Sequence, residues 1–485
     1  MSRLCLTLFL LVLPLTLQAA EQKTKPLNVI FLLVDDWGWT DAGCFGSDLY
    51  ETPNINKLAT DGMKFTNAYA ACTVCSPTRA SVMTGMYPGR THVTDFIPGH
   101  YRRFPTKHPL MPPNWTQQLE HKHTTIAEAL HEAGYRTAHI GKWHLTPRTE
   151  DIEVLTKYYP ERHGFQVNVA GNQWGLPGSY FWPFESKNAK NRFEKRTMNF
   201  PEGGKKGDYL TDTLTDHTLE IIDSFQEDPF YIYLPFYAVH TPIQGKPELI
   251  EKYKPLVKDG MRHTNATYAA MVTAVDQAVG RIRKKLDELH LADNTVIFLT
   301  GDNGGLDNRK GNPTENKPLR AGKGSAYEGG VRVPLIALWP GVTPAGSVNE
   351  TPVITPDYYP TILKMTGVAG NSQHNQKVDG VDLSQILRDP TSDLGREDLF
   401  WHYPHYHTGG AVPHSVIRSG DYRLVKFHLD DRYELYNLAD DIGESKDLSH
   451  AEPEKAKELL DKLHRWQKTV NAQMAVKNPN YKTER

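Results

Sequence analysis

The chain has 485 residues, 39% of them hydrophobic, and a formal charge of −2. That length exceeds one small core, so a large α/β domain with a smaller appended one is expected. The balanced charge excludes a global basic field for nucleic acid, and any anionic ligand must be captured by local positive charge.

From the amino end, Met1-Ser2-Arg3, an apolar run over 4–17 and Gln18-Ala19-Ala20 read as a secretory signal peptide over 1–20. The mature chain is expected to be exported, to the periplasm or the extracellular space in a bacterium, and to carry no membrane span. The apolar run is shorter than the ~20 residues a bilayer needs. Without it only Cys44, Cys72 and Cys75 remain, too few for a disulfide framework.

Residues 28–34 are continuously apolar, the pattern of a strand buried on both faces in a parallel sheet. The segment Cys75-Ser76-Pro77-Thr78-Arg79 opens a short helix that Thr84-Gly85 closes, with Ser76 suited to cap it and Pro77 to its first turn. Its dipole and free N–H groups would face an anion beside Cys75. Cys72-Thr73-Val74-Cys75 also has the spacing of a redox pair, but Pro77 and Arg79 follow it instead of a thioredoxin-like helix.

Segment 92–118, rich in proline, histidine and aromatics, is too irregular for a regular element and is a candidate pocket rim. Thr125 and Glu128 form a capping box for a helix stopping at Gly134. A strand follows at 137–140, then a helix over 209–225, a strand at 230–235, a long periodic helix over 268–289, and strands at 296–299 and 333–338. Alternation of buried strands and helices predicts a doubly wound α/β domain. After Gly367 the composition shifts: 414–438 reads as an antiparallel meander and 451–474 as an amphipathic helix across it. The expected division is a catalytic domain over 21–367 and a C-terminal subdomain over 368–485.

Ligands of an open α/β sheet bind beyond the carboxyl ends of its strands, and the residues there are charged. The strand 28–34 runs into Asp35-Asp36, and 296–299 into Gly301-Asp302-Asn303-Gly304-Gly305. The strand 137–140 runs into Gly141-Lys142-Trp143-His144, 230–235 leads to His240, and the glycine-rich loop 322–330 carries one lysine, Lys323. Three carboxylates and an amide carbonyl are hard oxygen donors, suited to Ca²⁺ or Mg²⁺ and poorly to zinc. Adjacent carboxylates such as Asp35 and Asp36 repel unless a cation neutralises them. Two lysines and two histidines beside that cation and a helix N-terminus make a site for a compact oxyanion.

The spacing Cys75-x-Pro77-x-Arg79 with Thr84-Gly85, and the other motifs in order over 28–448, resemble the type I sulfatases, arylsulfatase-like members of the alkaline phosphatase superfamily, and the pattern is similar to bacterial polysaccharide sulfatases. The resemblance implies a large mixed sheet flanked by helices, with a smaller C-terminal antiparallel sheet and helix. It implies that a maturation enzyme oxidises Cys75 to formylglycine, whose hydrate is the nucleophile. Asp35, Asp36, Asp302, Asn303 and the converted Cys75 would ligate one divalent cation, Ca²⁺ before Mg²⁺. Arg79 would hold the formylglycine, Lys142 and Lys323 would grip the sulfate, His144 would contact the gem-diol and His240 would face the leaving oxygen. One family position, a sulfate-binding hydroxyl or amide after His144, has no clear counterpart between Arg162 and Gly178.

The expected activity is hydrolysis of sulfate esters on a sulfated saccharide, of galactose or N-acetylgalactosamine type. The alternatives are a phosphodiesterase or phosphonate monoester hydrolase of the same superfamily, and a sulfated-glycan-binding relative that never matures its cysteine. Candidate rim residues are His92, His100, Tyr101, Arg102, Arg103 and the run 401–407, which reads equally well as a packed interdomain seam.

Overall fold

Strand β1, Asn28–Val34, divides its side chains between two cores. Ile30, Leu32 and Val34 face one cluster and Val29, Phe31 and Leu33 the other, as the two-residue period of a strand requires. The computed structural model describes residues 25–186, 195–198, 200, 204–307 and 313–482; the signal peptide read over 1–20 lies outside them.

Around β1 lie β2 (Met63–Phe65), β3 (Arg136–Ile140), β4 (Val167–Val169), β5 (Phe230–Pro235), β6 (Thr295–Gly301), β7 (Leu335–Leu338) and β8 (Ser347–Asn349), in the order β8-β2-β7-β6-β1-β5-β3-β4. Pairings among β6, β1, β5, β3 and β4 are parallel. Strand β7 runs antiparallel to both β6 and β2. The apolar run at 333–338, which shares the buried pattern of 28–34, reports burial on both faces and not direction.

Helices cover both faces of the sheet. On one face pack α3 (Leu210–Phe225) and α4 (Ala266–Glu288), through Leu214, Ile222, Met271 and Val275. On the other pack α1 (Cys75–Thr84), α2 (Ile126–Glu132) and α5 (Tyr358–Thr366), through Val82, Leu130 and Ile362. The capping box at Thr125 and Glu128 is present, as is the left-handed Gly85 at the end of α1, where a side chain would strike Tyr359. Ser76 does not cap α1, which already starts at Cys75 after an extended Val74. Pro77 therefore sits third in the helix, tolerated because first-turn N–H groups need no intrahelical partner.

The meander is β10 (His414–Ser419), β11 (Tyr422–Phe427) and β12 (Tyr433–Asn437), with a fourth, edge strand β9 (Asp398–Tyr403), whose position the sequence pattern did not locate, pairing to β10. Helix α6, Pro453–Thr469, lays Leu459, Leu463 and Trp466 across this sheet and is shorter than its amphipathic pattern. Among the described residues no helix is long and apolar enough to cross a membrane.

A buried ionic network ties the two sheets together. Arg423 of β11 reaches Glu328 at 3.1 Å and Glu444 at 2.5 Å, and donates to the Ala326 carbonyl at 2.8 Å. Removing one partner strands buried charge, so Arg423→Ala is expected to cost about 3–5 kcal/mol and to lower the melting temperature in a thermal scan.

Candidate active site

Because β6, β1, β5 and β3 are parallel neighbours, their carboxyl ends share one edge of the sheet, and the loop preceding the antiparallel β7 arrives at that edge too. Topology therefore gathers the ten residues singled out in the sequence, Asp35, Asp36, Cys75, Arg79, Lys142, His144, His240, Asp302, Asn303 and Lys323, into one buried constellation.

Lys142 Nζ donates to Asp35 Oδ2 at 2.6 Å, and Lys323 Nζ donates to Asp36 Oδ1. Arg79 forks onto Asp302 Oδ2 from Nε at 3.0 Å and Nη2 at 2.7 Å, while its Nη1 donates to the Lys142 carbonyl at 2.8 Å. Asn303 Nδ2 donates to Asp36 Oδ1 at 2.8 Å. The Lys323 loop is anchored beside α1, with the Gly324 N–H on the Thr73 carbonyl and the Ser325 N–H on Thr73 Oγ1, both at 3.0 Å.

The charges are unevenly compensated. Burial, reinforced by Asp302, pushes the Asp35 carboxyl up to about 8 against the pull of Lys142. Burial also pushes Asp36 and Asp302 upward, but Lys323 and Arg79 respectively outweigh it and hold both below the usual carboxylate range. Asp35 Oδ1, Asp36 Oδ2 and Asn303 Oδ1 are buried and accept no hydrogen bond among the described residues. Unsatisfied oxygens of this kind are costly unless something electropositive meets them. The Asp35 and Asp36 carboxylates and a His240 ring nitrogen lie within 4.8 Å of one another. The donor set fits a hard divalent cation.

Residue 75 stands at the other side of the lysines. Its Sγ is 3.3 Å from His144 Nδ1, and His144 Nε2 donates to the Ile97 carbonyl at 2.6 Å. Burial, then Lys142, pushes His144 well below the ordinary histidine range, and burial pushes the Cys75 thiol up. The ring is thus neutral, with Nε2 protonated and Nδ1 an acceptor for the proton of residue 75. His240 is also neutral, lowered to about 3 by burial and Lys323, and its Nδ1 donates to the Thr241 carbonyl at 2.9 Å. Its Nε2 lies 3.7 Å from Asp36. Cys72 and Cys75 are both free thiols, not a disulfide.

Several supporting residues have roles that the sequence did not indicate. The Ser76 hydroxyl donates to the His144 carbonyl at 2.9 Å and accepts the Ile97 N–H at 3.2 Å. Between Arg162 and Gly178, the Asn172 carbonyl accepts the His144 N–H at 3.1 Å, while the Asn172 amide donates to the Thr197 carbonyl. That asparagine supports His144. A β-carbon at Gly175 would lie 2.3 Å from His144 Cε1. Gly175→Ala is expected to displace the ring and lower kcat about 10²-fold, the cost of misplacing a reacting group by about 1 Å. Steady-state kinetics beside a mass measurement at residue 75 checks this.

The run 401–407 divides in two. Trp401, His402, Tyr403 and His405 are buried in the seam between the sheets, whereas Tyr406 and His407 are part-exposed. The His407 ring occupies the space a side chain on Gly324 would need, next to Lys323, and Tyr406 stacks on His108 at 3.9 Å. His92 instead bonds the Asn471 carbonyl of the C-terminal tail, and the side chain of Arg103 lies outside the description.

The Sulfatase family model matches residues 27–368, and one described as N-sulphoglucosamine sulphohydrolase, C-terminal, matches 322–473. A protein named Sulfatase from Formosa agariphila is 34% identical over 96% of this chain and 94% of its own length. The N-acetylgalactosamine-6-sulfatase of Homo sapiens is 31% identical over 76% of this chain and 67% of its own. The crystal structure of Ps i-CgsB in complex with k-i-k-neocarrahexaose aligns with a TM-score of 0.74 at 28% identity, covering 95% of each chain. Fold and sequence agree along the length of the molecule, and the chain belongs to the sulfatase family, as a type I sulfuric ester hydrolase of the alkaline phosphatase superfamily.

Proposed function

We propose that this chain is an exported enzyme that removes sulfate from a sulfated carbohydrate of galactose or N-acetylgalactosamine type, using formylglycine made from Cys75 and a Ca²⁺ ion. The observation that carries the mechanism is the arrangement around residue 75: an acceptor nitrogen at 3.3 Å, two lysines, and three carboxylates beyond them. The catalytic domain would span 21–367 and the C-terminal subdomain 368–485.

Asp35, Asp36, Asp302, Asn303 and residue 75 would hold the cation, which when bound neutralises charge on the sulfuryl oxygens. Formylglycine, when formed by the maturation enzyme and hydrated, supplies a hydroxyl nucleophile and a second hydroxyl that permits C–O cleavage to expel sulfate. His144 Nδ1 is placed to accept a proton from residue 75. Lys142 and Lys323 bring positive charge to the sulfate, and Arg79 holds Asp302 and the Lys142 backbone in register. A sulfate arriving beside His240 adds negative charge that raises its proton affinity, which prepares the ring to donate to the leaving sugar oxygen.

Support for a saccharide comes from a relative named N-acetylgalactosamine-6-sulfatase and a similar structure solved in complex with k-i-k-neocarrahexaose, and from the rim of His100, His108, Tyr406 and His407 beside Lys323. Stacked aromatic faces suit sugar rings. The test is mass spectrometry across Cys75 from a converting host, followed by sulfate release from a panel of 4- and 6-sulfated galactose and N-acetylgalactosamine saccharides. Aldehyde with turnover of one panel member supports the reading. An unconverted thiol, or phosphodiester and phosphonate cleavage exceeding sulfate release, overturns it.

A further inference from the structure

Asp95 is a buried carboxyl that the mechanism above does not use. Its Oδ1 accepts the Phe96 N–H at 2.9 Å and the Tyr403 hydroxyl at 2.7 Å, and its Oδ2 accepts the His100 N–H at 3.0 Å. His405 Nδ1 lies 3.7 Å from Oδ2, and the other nitrogen of that ring bonds Thr94 Oγ1 at 2.8 Å. The chain wraps around the carboxylate so closely that a β-carbon on Gly99, whose φ is 89°, would lie 3.1 Å from Oδ2.

Inside the loop closed by these bonds sits Ile97. Its carbonyl takes the Nε2–H of His144, and its N–H reaches Ser76, the neighbour of Cys75. Which nitrogen of a neutral imidazole carries the proton is set by the bond the other one makes. The placement of the Ile97 carbonyl therefore decides whether Nδ1 meets residue 75 as an acceptor.

We propose that Asp95 is a positioning residue for the reaction: gripped by Tyr403 and by the N–H groups of its own loop, it holds the Ile97 carbonyl where it keeps His144 in the Nε2–H tautomer with Nδ1 presented to residue 75. This rests on reading residue 75 as the nucleophile and His144 as its proton acceptor. Tyr403 and His405 follow from the small sheet, so the C-terminal subdomain contributes to the rate as well as to the rim. Asparagine cannot replace Asp95. Its NH₂ must face either the Phe96 N–H or the His100 N–H, donor against donor.

The experiment measures kcat and KM for Asp95→Asn in the converted full-length enzyme, alone and in a His144→Ala background, with 4-nitrophenyl sulfate as the probe. Thermal melts confirm folding. Partners that orient metal-bound histidines matter about 10- to 100-fold, and by the same physics kcat is expected to fall by a factor in that range with KM within about threefold. In the His144→Ala background Asp95→Asn should cost nothing further. If Asp95→Asn does not fold, Tyr403→Phe is the substitute, with a smaller kcat loss that again vanishes without His144. A loss that multiplies in both backgrounds, or a rise in KM alone, overturns the positioning role. Full activity of His144→Ala would instead overturn the reading of His144 on which it rests.

Discussion

Cys75→Ala is expected to give a folded protein whose sulfate release is at least ~10⁴-fold below the parent, on the scale that loss of a nucleophile costs other covalent hydrolases. The fold should survive because alanine is the best helix former and the position lies in the first turn of α1, whose packing is carried by Ala80, Val82 and Met83. Removing one sulfur leaves a void worth about 1 kcal/mol. Each neighbouring charge has a partner other than residue 75: Lys142 pairs with Asp35, Lys323 with Asp36 and Arg79 with Asp302. The measurement is sulfate release together with a melting curve. More than 1% residual turnover in a folded variant would mean that residue 75 is not the nucleophile.

Removal of divalent metal is expected to abolish turnover as completely, with a different signature. Three acidic side chains share one buried edge of the sheet, and three of their oxygens and amide oxygens, on Asp35, Asp36 and Asn303, lack a hydrogen-bond donor among the described residues. Lys142, Lys323 and Arg79 match the three carboxylates in formal charge, yet Asp35 is still pushed up toward a neutral carboxyl by burial and Asp302. A cation relieves both defects and so stabilises the native state by mass action, by about 2.7 kcal/mol at a hundredfold excess over its Kd. Dialysis against chelator should therefore lower the melting temperature as well as the rate. Ca²⁺ should restore both, and Zn²⁺, which prefers nitrogen and sulfur ligands, should not. Full activity after exhaustive chelation would sink the metal site.

Much of the site was legible because its residues follow strands that announce themselves by apolar runs. Asp35-Asp36 after β1 and Asp302-Asn303 after β6 needed only the rule that ligands gather at carboxyl ends. Asp95 was not legible. It stands in an irregular segment without period, and its partners Tyr403 and His405 are some three hundred residues away. Ser76 was misread for a related reason: a hydroxyl at the start of a helix can cap it or, as here, bond the backbone of His144, and only a distant loop chooses between these.

Residue order alone carried most of the local elements and the inventory of chemistry: a cysteine at a helix start, hard oxygen donors, two lysines and two histidines. These depend on side-chain type, spacing and short-range capping, which act within a few residues. Tertiary structure alone decided the direction of β7, the edge strand β9 and the burial of Trp401 to Tyr403 in the seam. It also decided the tautomer of His144, through the Ile97 carbonyl. Each of these is settled by a hydrogen bond or contact between segments far apart in the chain, whose formation depends on the packing of the whole sheet and not on the residues nearby.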